Sequence, residues 1–244
     1  MTGPKRLAIA AIILGVAGTA ALIALCNWQL QRLDWKLGLI AALEERLAAE
    51  PVALPPAPTV EDEFLRVAVT GRFDGAAGTH GHADAPLLTT FDKHPGYRVL
   101  QPFTLSDGRR IMVSRGWVPL EAKNEGGRAV IPTPAPEGEV TLTGALRFPD
   151  DPQSPAFGAN DNVWIARDLD VMAEVFGVEP VLLVSETPTP GPDGVAPRLQ
   201  PLTVNLKNDH LGYAITWGML AVVWAVMSGL LAFREWRRGA AGTA

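Results

Sequence analysis

Two stretches of this chain carry no charge. Residues 7–26 read LAIAAIILGVAGTAALIALC, and residues 211–233 read LGYAITWGMLAVVWAVMSGLLAF. About 20 apolar residues at 1.5 Å rise cross the roughly 30 Å hydrocarbon core of a bilayer. Lipid offers the backbone no hydrogen-bond partners, so each stretch must be helical there. The pattern predicts transmembrane helices over 7–26 and 210–233. The first run is longer than the roughly 7–15 apolar residues of a signal peptide, and NWQLQRLDWK after it does not look like a small-residue cleavage site. It is read as a retained anchor.

Between the two runs the periodicity changes. In 27–50, Leu33, Leu37, Ile40, Leu43 and Leu47 recur at helical spacing, which predicts a helical extension of the first span. Pro51 ends it, and PVALPPAP (51–58) reads as a stiff extended linker. From 59 to 207 the chain alternates in short runs. EFLRVAVTGRF (63–73) and GEVTLTGALRF (138–148) read as strands. YRVLQPFTL (97–105) and RRIMVSRGWV (109–118) flank Ser-Asp-Gly, a hairpin signal. LDVMAEVFG (169–177) reads as a short helix closed by Gly177, and PVLLVSE (180–186) as a buried strand. The predicted fold class is membrane α + β. Two transmembrane helices flank an extracytoplasmic, antiparallel β-rich domain, barrel- or sandwich-like, with one short helix.

Composition agrees with that division. The 244 residues are 48% hydrophobic, with mean hydropathy +0.14, and the two spans account for the excess. Lys5 and Arg6 precede the first span and Arg234, Arg237 and Arg238 follow the second. Basic flanks stay cytoplasmic, so both termini are placed inside and the domain on the periplasmic side of the inner (cell) membrane. The net charge is −5; those five cations and Glu235 give the tails +4, leaving −9 on residues 27–210. An acidic domain argues against nucleic acid or an anionic surface as its partner. With Cys26 as the one cysteine, no intramolecular disulfide is available, and the domain must hold by its core.

Candidate chemistry is sparse. The chain lacks a P-loop, GxGxxG, HExxH, GxSxG or CxxC motif, and an enzyme is not expected. Asp150 and Asp151 sit among Pro and Gly as turn residues. His80 and His82, in THGHADAP, share a face if extended but lie in a Gly-rich tip, with His94 nearby in DKHPG; a solvated loop is favoured over a metal site. In VSRGWVP, Arg115 is a candidate for an anion and Trp117 for a partner or membrane surface, against the alternative that Gly116 and Trp117 close a turn onto the core. The richest stretch is NDHLGYAITW (208–217). His210 opens the second span, with Tyr213, Ala214 and Trp217 on its side. Gly218, Ala221 and Ala225 continue a line of small residues, and Ala11, Gly15 and Gly18 offer a match on the first span, so the helices can approach closely. An ionisable residue at a membrane boundary is a functional candidate; otherwise His210, Tyr213 and Trp217 are interfacial anchors.

Three blocks carry a resemblance: WQLQRLDWKLGLI (28–40), GYRVLQPFTLSDGRRIMVSRGWVP (96–119) and NDHLGYAITWGMLAVVWA (208–225). In order and spacing the chain resembles the Surfeit locus 1 family, membrane factors for assembling haem-copper cytochrome c oxidase. The resemblance implies an assembly factor that binds haem a transiently and assists its insertion into subunit I, with subunit I, membrane lipid and haem a synthase as expected partners. It implies His210 as the ligand of the haem iron; Tyr213 and Trp217, on the same side of the helix, are the cofactor-binding candidates to wall the macrocycle. Neutral imidazole is a good axial ligand, and its second nitrogen needs a partner, Asp209 or a backbone carbonyl. Arg32, Lys207 and Arg115 are candidates for the haem propionates, and Trp28 and Trp117 for interface contacts. A scaffold that stabilises nascent subunit I or the haem-synthesis machinery without touching haem is the competing reading. It demands nothing of His210 chemically. A copper-delivery role is disfavoured by the single cysteine and five scattered methionines.

Overall fold

In the computed structural model, residues 3–75, 84–120, 133–148, 163–200 and 202–241 are described. The readings made at His80, His82, Asp150 and Asp151 lie outside them. The chain divides into two units, residues 1–42 with 204–244, and residues 43–203.

The first unit is a helix pair. The predicted span 7–26 and its extension 27–50 form one uninterrupted helix, α1 (Gly3–Ala48), roughly 70 Å long at 1.5 Å per residue. Helix α3 (His210–Ala241) runs eight residues past the predicted end at Phe233. Both are long and apolar enough to cross a membrane. They pack antiparallel through small residues. Ala8, Ala11, Ala214, Ala221 and Ala232 are buried. A Cβ on Gly15 would fall 2.6 Å from that of Ser228, and one on Gly18 would collide with the Trp224 indole. The Trp224 Nε1–H donates to the Leu14 carbonyl at 3.3 Å. Large side chains such as Ile13, Leu14, Val222 and Met227 point outward and are exposed.

The second unit is a barrel. Strands β2 (Arg66–Phe73), β6 (Val140–Arg147), β7 (Leu182–Ser185), β5 (Arg110–Pro119) and β4 (His94–Leu105) follow one another in the sheet, and β2 pairs back onto β4 at Gly71–Leu105, closing the ring. β1 (Val52–Ala53) and β3 (Ala85–Phe91) are added at the margins. Closure removes the exposed edges that an open sheet would present.

The sheet is mixed rather than purely antiparallel. β7 runs parallel to β5, and β1 parallel to β2. A parallel neighbour needs a long connection. β7 has one, since it enters between β5 and β6 only after the chain has passed through α2 (Leu169–Phe176). The predicted linker is likewise docked: Val52 and Ala53 pair with Val67 and Ala68, and the Pro55 carbonyl accepts from Arg109 at 2.8 Å.

Two apolar layers share the sheet. Val67, Phe103, Ile111, Val113, Leu142, Leu146 and Leu183 fill the barrel. Met112, Leu182 and Val184 face outward, under Leu169, Met172 and Phe176 of α2. β7 is therefore buried on both faces, which is why 181–184 reads as an unbroken apolar run. Asp168 caps α2, its side chain accepting from the Val171 N–H, and Gly177 ends the helix at φ 63°. The hairpin between β4 and β5 turns at Ser106–Gly108 as predicted, with Gly108 at φ 87°.

Candidate functional site

His210 is the first residue of α3 and is half-buried. Its ring approaches α1: Nδ1 lies 2.7 Å from Oε1 of Gln29. Gln29 is 8% exposed. The partners foreseen are Asp209 or a backbone carbonyl; Nδ1 takes the Gln29 side chain instead, and Asp209 is ion-paired with Lys207 at 3.0 Å. The second ring nitrogen, Nε2, makes no hydrogen bond among the described residues. One nitrogen is anchored and the other is available.

Beside this pair runs an apolar groove of about 550 Å³. It starts one residue past the histidine and is lined by Leu211, Ala214, Ile215, Gly218, Met219 and Val222 of α3 and by Cys26 and Leu30 of α1. Leu211, Ile215, Gly218 and Val222 are spaced four, three and four apart, one stripe of the helix. Tyr213 and Trp217 do not line it. Trp217 and Trp224 are seven residues apart and share a side, and Trp224 packs on Gly18. Tyr213, 56% exposed, sits four residues before Trp217 on that same flank, and His210, seven before Trp217, shares it; the groove opens across the seam, and neither His210 nor Gln29 lines it.

The remaining candidates separate into two kinds. Lys207 is exposed, and its hydrogen-bonded ion pair with Asp209 raises its pKa above the usual lysine value. The Arg32 guanidinium lies 5.0 Å over the Trp35 ring, and Trp28 is half exposed one residue before Gln29. These belong to the helix-pair unit. Arg115 and Trp117 belong to the barrel unit. Arg115 is 1% exposed and follows Ile111 and Val113 into the barrel interior. It lies where β5 gains a residue against β4, beside Gly116 at φ 132°, and a bulge of this sort re-aims a side chain.

All five Arg115 donors are used. Nε donates to the Thr189 hydroxyl, one terminal nitrogen to Gln101 and the Thr133 carbonyl, the other to the carbonyls of Pro134 and Thr189. Its plane rests 5.4 Å from the Phe73 ring. Burial lowers its pKa to about 10, still well above neutrality, so it is a charged group fully engaged inside the barrel. It has no donor left for a propionate, and that expectation is corrected here: the bulge turned the side chain inward. Trp117 is half-buried. Its backbone bridges Arg198, with N–H to carbonyl distances of 2.8 and 2.9 Å, and its indole packs over Gly96 and against Phe91. Gly116 and Trp117 thus lie within β5, not in the turn of the alternative reading of VSRGWVP, and the indole packs onto the barrel unit. His94 makes a local contact, Nδ1 to the Asp92 carbonyl at 2.7 Å.

Gln29 is the site residue that the sequence reading does not assign as His210's partner. A signal for it exists. Ala8, Gly15, Leu22 and Gln29 recur every seven residues, so the amide stands on the same line of α1 as Ala8 and Gly15, and that line faces the second helix.

Comparison with known proteins places this arrangement. The chain is 34% identical to the human Surfeit locus protein 1 over 234 residues, covering 88% of this chain and 74% of the human one. It is 33% identical to the SURF1-like protein of Caenorhabditis briggsae, over 82% of this chain and 68% of that one. It is 31% identical to Surfeit locus protein 1 of Takifugu rubripes, over 81% and 87%. The model of the SURF1 family matches residues 16–222, from within α1 through the barrel to Val222 in the groove, and this chain belongs to the SURF1 family.

Proposed function

We propose that this protein is a membrane-anchored assembly factor for haem-copper cytochrome c oxidase that holds haem a transiently through His210 and assists its insertion into subunit I. It acts by binding, without turnover. Family membership supports the oxidase role. The observation that carries the haem role is the His210 imidazole, fixed at Nδ1 by Gln29 and open at Nε2, one residue before the start of an apolar groove.

These residues fit the group. Haem a supplies an iron that takes an imidazole ligand and a hydrophobic tail that water excludes. His210 would hold the iron; Leu211, Ile215, Met219 and Leu30 would receive apolar surface; Lys207 and Arg32 are the cations at the same end of the helix pair for the propionates. A single protein ligand suits a cargo that must leave. The exposed apolar faces of α1 and α3 fit two transmembrane helices, and the basic residues outside each fit cytoplasmic termini. The barrel then lies on the periplasmic face, where it and the helix pair would meet subunit I and haem a synthase.

The test is an optical spectrum of the full-length protein purified from cells that also make haem a, beside His210→Ala. A haem a spectrum in the wild type that the variant loses supports the reading. Haem-free protein in both, with oxidase assembly still dependent on the chain, would select a scaffold acting on subunit I without haem.

A further inference from the structure

Among the described residues of the helix pair, only two polar side chains are buried: Gln29 and Glu235. Glu235 is answered one turn away by Arg238 at 2.6 Å. Gln29 is answered across the pair by His210 alone. Its place on the seven-residue series Ala8, Gly15, Leu22 directs it at α3, and an apolar residue at that place would leave the histidine ring without a partner.

Resting on the haem-binding reading above, we propose that Gln29 is a positioning residue, holding His210 in the tautomer that carries its proton on Nδ1. Oε1 of Gln29 is an acceptor only, so at 2.7 Å the ring nitrogen must donate. The proton then sits on Nδ1, and Nε2 presents its lone pair, the form a ring must take to ligate a metal through Nε2. A free neutral histidine side chain favours the opposite tautomer, with Nε2 protonated and unable to ligate through that nitrogen. Gln29 therefore reverses the intrinsic preference before any cargo arrives. An amide is also a weaker acceptor than a carboxylate. It orients the ring without giving it imidazolate character, which suits a ligand that must release. Partners of metal-bound histidines commonly act this way.

The experiment uses the full chain in detergent micelles or nanodiscs, free of haem, with nitrogen-15-labelled histidine, at a pH where the ring is neutral. Nitrogen spectra distinguish the two tautomers directly. Wild type should show His210 protonated on Nδ1. Gln29→Met, of similar volume but without a strong acceptor, should shift it toward Nε2–H, and Gln29→Glu should restore Nδ1–H. With haem a added, Gln29→Met should weaken binding about 10- to 100-fold, while Gln29→Glu should bind and lower the haem's midpoint potential. A wild-type His210 protonated on Nε2, or a tautomer indifferent to Gln29→Met, overturns the proposal. Because the tautomer is read without haem, failure of the functional reading shows separately, as wild type that takes up no haem a.

Discussion

The barrel and the helix pair each set a cationic or basic side chain against apolar neighbours, fully buried in the barrel and half-buried in the helix pair, and they treat it in opposite ways. In the barrel, Arg115 commits all five donors to fixed acceptors and rests on Phe73. Nothing is left to recruit a ligand. In the helix pair, His210 commits one ring nitrogen to Gln29 and keeps the other open, one residue before the start of an apolar groove. A saturated polar group is architecture; a half-satisfied one in an otherwise finished packing arrangement is where binding is to be sought. From sequence His210 is the favoured iron ligand and Arg115 a candidate for an anion, both binding candidates on residue type. The hydrogen bonds each one makes separate them.

The largest effect that would sharpen this contrast is Arg115→Met. It strands Gln101 and the carbonyls of Thr133, Pro134 and Thr189 in the barrel interior. Unsatisfied buried groups cost about 1–3 kcal/mol each, so with four of them the barrel should lose at least about 4 kcal/mol. Chemical denaturation followed by tryptophan fluorescence would show this, and haem a affinity of the folded fraction should be unchanged. A variant of native stability that failed to bind haem would reverse the two roles.

Gly18→Leu comes next. Its Cβ would collide with Trp224, prising the helices apart at the seam and costing roughly 1–3 kcal/mol. Cysteine cross-linking between α1 and α3 should become slower, while the barrel's melting is unaffected. Gly116→Ala should cost the barrel about 1–2 kcal/mol, because φ is 132° there and a Cβ would lie 2.6 Å from the Arg198 carbonyl; a thermal melt reads it. Smallest is Lys207→Ala. Its ion pair with Asp209 is exposed and screened by solvent, so the melting temperature should not move, and only haem a affinity should fall, by a few-fold, if Lys207 meets a propionate.

The sequence disclosed the repetitive parts of the fold and hid what depended on contacts. The uncharged runs predicted α1 and α3 because twenty apolar positions admit few other structures. Ser-Asp-Gly marked the β4–β5 turn because Gly108 needs its positive φ. β3 was missed because its turn to β4 uses Asp92 and Lys93, at φ 50° and 65°, where glycine or asparagine would have announced it. The parallel entry of β7 was invisible because strand order is set by long-range packing, not by local pattern. Within the site, His210 and the small-residue seam were legible. Gln29 was not read as its partner, since a pairing 181 residues apart in sequence has no local signature beyond the seven-residue series. Tyr213 and Trp217 were grouped with His210 by helical spacing alone, which cannot say on which side of the seam a groove opens.

The most direct test of the central claim is a haem a titration of the purified apo-protein alongside His210→Ala and Arg115→Met, each corrected for the folded fraction. The account predicts that His210→Ala weakens binding at least about tenfold and that Arg115→Met leaves it at the wild-type value. Equal affinity in wild type and His210→Ala, or a loss confined to Arg115→Met, would contradict it and move the site into the barrel.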